Sequence, residues 1–119
     1  MLPDESNSSL PDFNIYQEKA WQTAVYPDRG SNLTYPVLGL NGEAGEVAEK
    51  FKKVLRDKGG VVDESTRLAI AKELGDVLWY VAAACSELGL SMASVAESNL
   101  AKLSDRRDRG QLHGSGDER

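Results

Sequence analysis

Apolar residues recur at helical spacing in four stretches of the chain, and no stretch alternates apolar and polar positions as a half-buried strand would. In the first, Phe13, Tyr16, Ala20 and Ala24 share one face with Trp21 beside them, which predicts a helix from an N-cap at Asp12 through Val25. Tyr26-Pro27-Asp28-Arg29-Gly30 is turn chemistry and ends it. The second helix is predicted from Tyr35-Pro36, proline being tolerated in a first turn, to about Asp57, where Lys58-Gly59-Gly60 closes it. Its stripe of Leu40, Ala44, Val47, Ala48, Phe51, Val54 and Leu55 is the pattern of a core-facing helix. The third runs from an N-cap at Asp63 to Glu87 or Leu88, with Gly89 as its stop. Between Asp76 and Glu87 it carries no charge, so it is apolar nearly all round and belongs at the centre of the bundle. Ser91 caps a fourth helix, Met92 to about Arg106, with Met92, Val95, Leu100 and Leu103 facing inward. Four helices with short connections predict an all-α fold, a four-helix bundle.

Composition sets the limits of that picture. Residues 1–11, rich in Ser, Asn, Asp and Pro, predict a flexible N-terminal arm; residues 12–108 form one domain; residues 109–119 are a Gly- and Arg-rich tail holding His113, the only histidine. A length of 119 residues suffices for one core without staples. A formal net charge of −5 argues against nucleic acid or an anionic membrane as the main partner, because both reward a basic surface. The apolar run Val77 to Cys85 is far short of the ~20 residues that span a bilayer. The acidic N-terminus has no signal-peptide pattern, so a cytoplasmic location is expected. Cys85, inside that run, reads as a small core residue.

The chemistry lies in the acids. Glu43, Glu46 and Glu49 follow one another at steps of three on the second helix, as do Glu73 and Asp76 on the third. Side chains three apart stack along a helix face, so each segment offers a local carboxylate pair. Two such pairs brought together form a set of hard oxygen ligands of the kind that Mg²⁺ or Mn²⁺ selects. A solvated helix face built only for stability would mix its signs; here Lys50 and Lys53, four residues after Glu46 and Glu49, give partial relief. Glu73 and Asp76 border the apolar face of the most buried helix, where carboxylates are partly desolvated. Two unit charges about 4 Å apart at an effective dielectric near 20 interact by about 4 kcal/mol, a repulsion that a divalent cation removes. Gly45 and Gly75 sit inside helices beside these acids, which suggests close backbone approach or room for a ligand.

The segments LGLNGEAGEVAEKFKK and AKELGDVLWYVAA resemble the MazG-like family of all-α nucleoside triphosphate pyrophosphohydrolases, whose hallmark is a Glu-x-x-Glu pair on one helix and a Glu-x-x-Asp pair on the next. The ending RGQLHGSGDER resembles one subgroup of that family. The resemblance implies Mg-dependent hydrolysis of an NTP or dNTP at the α–β bond, with Mn²⁺ as a possible substitute for Mg²⁺. It implies Glu43, Glu46, Glu73 and Asp76 as metal ligands, and Glu46 or Glu49 as the base that activates water. The pair can also be framed as Glu46 and Glu49; the helical wheel favours Glu43 and Glu46, because Glu43 lies at the border of the apolar stripe and Glu49 points nearly opposite. Asn99, Lys102 and Arg106 share a face of the fourth helix that resembles the family's phosphate-contacting stretch, with Lys53 a further cation. Tyr80, four residues after Asp76, is placed to stack on a base or ribose. Trp21 and Trp79 read as core or interface residues. The resemblance also implies a homodimer or homotetramer that completes the bundle, as the apolar girth of the third helix does independently. Two alternatives are a base-specific relative, such as a dUTPase, a dCTPase or a phosphoribosyl-ATP pyrophosphohydrolase, and a non-enzymatic helical dimerisation module.

Overall fold

Three of the four helices begin on a side chain that accepts from the backbone three residues on: Asp12 from Ile15 N at 2.8 Å, Asp63 from Thr66 N at 2.8 Å, and Ser91 from Ser94 N at 3.2 Å. Each satisfies one of the amide donors that a helix start leaves without a partner. In a computed structural model that describes residues 11–119, the helices are α1 (Phe13–Gln22), α2 (Thr34–Asp57), α3 (Glu64–Glu87) and α4 (Met92–Asp108). No strand occurs among the described residues. The arm expected over residues 1–11 falls, apart from Pro11, outside them.

The α3 helix packs against all three others, chiefly α2, whereas α1 and α4 do not touch α2. Its central place follows from the uncharged run after Asp76: Ala82, Ala83 and Cys85 are buried, with Leu78, Trp79 and Val81 half-buried around them. Burial raises the Cys85 thiol pKa, consistent with its reading as a core residue. The arrangement is open. Its radius of gyration is 17.0 Å, against roughly 13 Å for a compact chain of this length. No single helix among the described residues is long and apolar enough to cross a membrane.

That openness changes the expected packing of α2. Of its apolar stripe only Val54 is fully buried, with Leu40 and Val47 half-buried; Ala44, Ala48, Phe51 and Leu55 are exposed. A helix with one neighbour can cover only one side of a broad stripe, and α3 is that neighbour.

Two polar devices fix the remaining elements. The first helix stops at Gln22, three residues early, because the Thr23 hydroxyl donates to Ala20 O at 2.7 Å and Arg29 donates to Trp21 O at 2.9 Å, closing the last turn. Arg29 also lies 4.7 Å from the Trp21 ring centroid. In the loop that follows, Glu87 accepts from the Tyr26 hydroxyl at 2.6 Å, Gly30 N at 2.9 Å and Asn32 N at 3.2 Å. These donors, Tyr26 first, hold the Glu87 carboxyl below the usual range and pin the loop to the end of α3. The fourth helix leaves α3 at 104°. Asn14 and Gln17 of α1 receive its first amides: Gln17 Oε1 accepts from Met92 N at 2.8 Å, and Asn14 Oδ1 from Ala93 N at 3.3 Å.

Candidate metal centre

Because α2 and α3 run antiparallel, their acidic faces meet. Glu43, Glu73 and Asp76 each present a carboxylate oxygen, and these atoms lie within 4.8 Å of one another. Glu43 and Glu73 are half-buried and Asp76 is exposed. A hydrogen bond to Glu73 first, then partial burial and the charges of Asp76, Glu73 and Glu46, push the Glu43 carboxyl above its ordinary range. A carboxylate whose charged form is disfavoured by the carboxylates around it is favoured by a nearby cation. An all-oxygen donor set of this kind fits Mg²⁺ or Mn²⁺.

Glu46 and Glu49, the other two acids of the series that begins at Glu43, stand outside the trio. Glu46 is exposed and contributes no oxygen to it, although its charge is felt at Glu43. Glu49 turns away, as the helical wheel requires, and meets Lys52 at 2.9 Å and Lys53 at 4.0 Å. Lys52, as hydrogen-bond donor and as charge, holds its carboxyl below the usual range. Lys50 reaches across to α3, where its Nζ lies 3.5 Å from Glu73 Oε1.

A groove of about 350 Å³ opens beside the trio, lined by Glu43, Asp76, Thr23, Trp79 and Tyr80. The Trp79 and Tyr80 rings meet edge to face at 5.1 Å. Behind them Tyr26 stacks on Tyr35 at 4.6 Å and contacts Trp79 edge to face at 6.4 Å. Trp79 Nε1 donates to Thr23 Oγ1 at 2.8 Å, which fixes the indole plane. Burial first, then the proximity of Tyr35, Glu43 and Asp76, raises the Tyr80 hydroxyl pKa. One wall of the groove is thus anionic and the other aromatic, which suits a ligand with a phosphate end and a ring end.

Gly39 makes this arrangement possible. A Cβ built there would clash with Cε1, Cζ and Cδ1 of the Tyr80 ring, so α2 and α3 approach closely at Gly39 and not at Gly45 or Gly75, around which there is open space. Two substitutions on one helix should therefore have opposite signs. Gly39→Ala should lower the unfolding free energy by about 1 to 3 kcal/mol through overpacking. Gly45→Ala should raise it by about 0.5 to 1 kcal/mol through helix propensity. Chemical denaturation of both variants checks this, and a stabilised Gly39→Ala would refute the close approach.

Of the expected substrate contacts, Tyr80 lines this groove, and Lys53 lies further along α2. Asn99 and Lys102 line a separate groove of about 420 Å³ with Leu90, Ser91 and Ser94. Lys102 and Arg106 both hold Asp117 of the tail, at 3.2 and 3.5 Å, and Arg106 is buried. Since α4 does not touch α2, the structure does not bring these three residues to the acids within one chain.

Sequence reasoning did not place Trp79, read there as a core or interface residue, nor Thr23 or Lys50 at the site. Trp79 follows Asp76 by three residues, a same-face spacing that signals the groove. Lys50 was legible only as a partner for Glu46 on its own helix. Thr23 carried no signal, because its place depends on how α1 docks on α3.

A family model described as MazG nucleotide pyrophosphohydrolase domain matches residues 33–110. The Gene 37 protein of Mycobacterium phage L5 is 48% identical over 111 residues, covering 89% of this chain and 97% of that protein. No solved structure matches the chain significantly.

Proposed function

We propose, for a chain that belongs to the MazG nucleotide pyrophosphohydrolase family, that it hydrolyses nucleoside triphosphates at the α–β bond to a nucleoside monophosphate and pyrophosphate. The observation that carries this reading is the trio of Glu43, Glu73 and Asp76 set beside the groove of Trp79 and Tyr80. Those three carboxylates, with Glu46 at their exposed side, would hold Mg²⁺, for which Mn²⁺ could substitute. A divalent cation bound there supplies charge neutralisation for the phosphates and acidifies the attacking water.

The protein's own groups do the rest. Water oxygen bonds to the α-phosphorus, the bond from that phosphorus to the α–β bridging oxygen breaks, and pyrophosphate leaves with that oxygen. The water proton passes to a carboxylate. Glu46 suits this role better than Glu49, since its charge is felt at Glu43 while Glu49 is drawn to Lys52 and made less basic. Tyr80 and Trp79 flank the nucleoside, and Lys53 is the expected substrate cation on the same chain. Asn99, Lys102 and Arg106 would meet a substrate only across an interface between copies. The exposed side of the α2 stripe, Phe51 and Leu55 included, supports such a homodimer, or a tetramer of two dimers.

Pyrophosphate release measured with Mg²⁺ across the four ribo- and four deoxyribonucleoside triphosphates tests the reading. Equimolar monophosphate and pyrophosphate are expected. Release of orthophosphate as the first product would refute cleavage at the α–β bond, and turnover confined to dUTP would narrow the substrate class to a base-specific one.

A further inference from the structure

Glu87 is the last residue of α3 and lines no part of the groove beside the acidic trio. It nevertheless shares a helix face with residues that do: Asp76, Tyr80, Ala83 and Glu87 recur at steps of four, three and four. From Asp76 to Glu87 the helix rises about 16 Å, so the acids lie at one end of this face and Glu87 at the other. The aromatic rings stand between them.

Each oxygen of the Glu87 carboxylate secures a different ring. Oε1 accepts from the Tyr26 hydroxyl at 2.6 Å and from Gly30 N at 2.9 Å. Oε2 accepts from Asn32 N at 3.2 Å, and Asn32 Oδ1 in turn accepts from Tyr35 N, in the first turn of α2, at 3.1 Å. Tyr26, which is buried, and Tyr35 lie face to face, with 11° between their planes. Tyr26 backs Trp79 edge to face at 6.4 Å, and Tyr35 lies 6.4 Å from Tyr80. Both rings of the groove thus rest on rings that one carboxylate holds.

We infer that Glu87 is a positioning residue for the nucleoside end of the substrate, acting through Tyr26 and Tyr35 on the Trp79 and Tyr80 rings. This role rests on the hydrolase reading above, which seats the nucleoside against those two rings. Contacts between aromatic rings depend on offset and tilt, so a backing ring that shifts changes the surface on which a base can stack. The acids meet further along the same face, where α2 packs on α3 beyond Gly39. Loss of the Glu87 anchor should therefore separate ring binding from phosphate and metal binding. A glutamine at this position has one acceptor oxygen and can hold only one of the two rings.

Calorimetric titration with a nucleoside monophosphate in Mg²⁺ tests this without turnover. Glu87→Gln and Tyr26→Phe should each weaken monophosphate binding about tenfold, the worth of one well-placed aromatic contact. Neither should change binding of inorganic pyrophosphate, which has no ring. In turnover, KM for a triphosphate should rise with kcat unchanged, the mark of lost uniform binding. Asp12→Ala, which removes the cap of α1 and so lowers stability without touching these rings, should bind both ligands as the native chain does. Native affinity for monophosphate in either variant, an equal loss for pyrophosphate, an equal loss in Asp12→Ala, or no monophosphate binding by the native chain would each overturn the inference. Failure of the activity is distinguishable. A protein that shows the monophosphate loss but cleaves no triphosphate keeps the role of Glu87 and loses the hydrolase reading. One that cleaves triphosphates with native KM in Glu87→Gln does the reverse.

Discussion

Asp76→Asn is expected to lower pyrophosphate release by about a hundredfold or more, since losing one charged ligand from a three-carboxylate set should exceed the 10- to 100-fold typical of an outer partner. The substitution keeps the side-chain volume, and Asp76 is exposed, so the helices should be unaffected. In metal-free buffer the variant should melt at or slightly above the native temperature. Asp76 is one of the charges that push up the Glu43 carboxyl, and its removal eases that crowding. Steady-state rates with circular dichroism as the control for folding make the check, and full activity would remove Asp76 from the centre. Glu73→Gln should lose activity comparably, but without the gain in stability, because Glu73 also partners Lys50.

Removing the cation should have the second large effect, and its pH dependence carries a sign. Chelation should abolish turnover, and Mg²⁺ should restore it. Glu43 binds its proton more tightly in the folded chain than an ordinary carboxyl does. In the absence of metal the folded state therefore loses stability as pH rises from the ordinary carboxylate range through the raised value, where that proton is released among like charges. A cation takes the place of the proton. Mg²⁺ should accordingly raise the melting temperature by several degrees at pH ~7 and by less at pH ~4, where protons compete with the cation for the Glu43 carboxylate. A Mg²⁺ effect that is equal at both values, or absent at neutral pH, would argue against a carboxylate site.

The helices were legible because their signals are local. Asp12, Asp63 and Ser91 announce three N-caps, Gly89 a stop, and the uncharged run after Asp76 a central helix; each depends on residues within one or two turns. The errors were local as well. The first helix ends at Gln22 because Thr23 and Arg29 close it, and Arg29 arrives from the following loop. The stripe on α2 was read correctly as apolar, but periodicity does not state how many neighbours will cover it, and within one chain α3 covers only part.

The same division runs through the candidate site. Spacing alone placed Glu43, Glu73 and Asp76 on faces able to converge, because three-residue steps fix a helix face whatever lies opposite. Their convergence, the close approach of Gly39 to Tyr80, the place of Trp79 and Thr23 in the groove, and the reach of Lys50 to Glu73 were decided by the tertiary structure. These depend on the register of α2 against α3 and on how α1 docks on α3, and such long-range geometry is set by packing between helices. The sequence by itself determined which chemistry was available; the fold decided which of its residues meet.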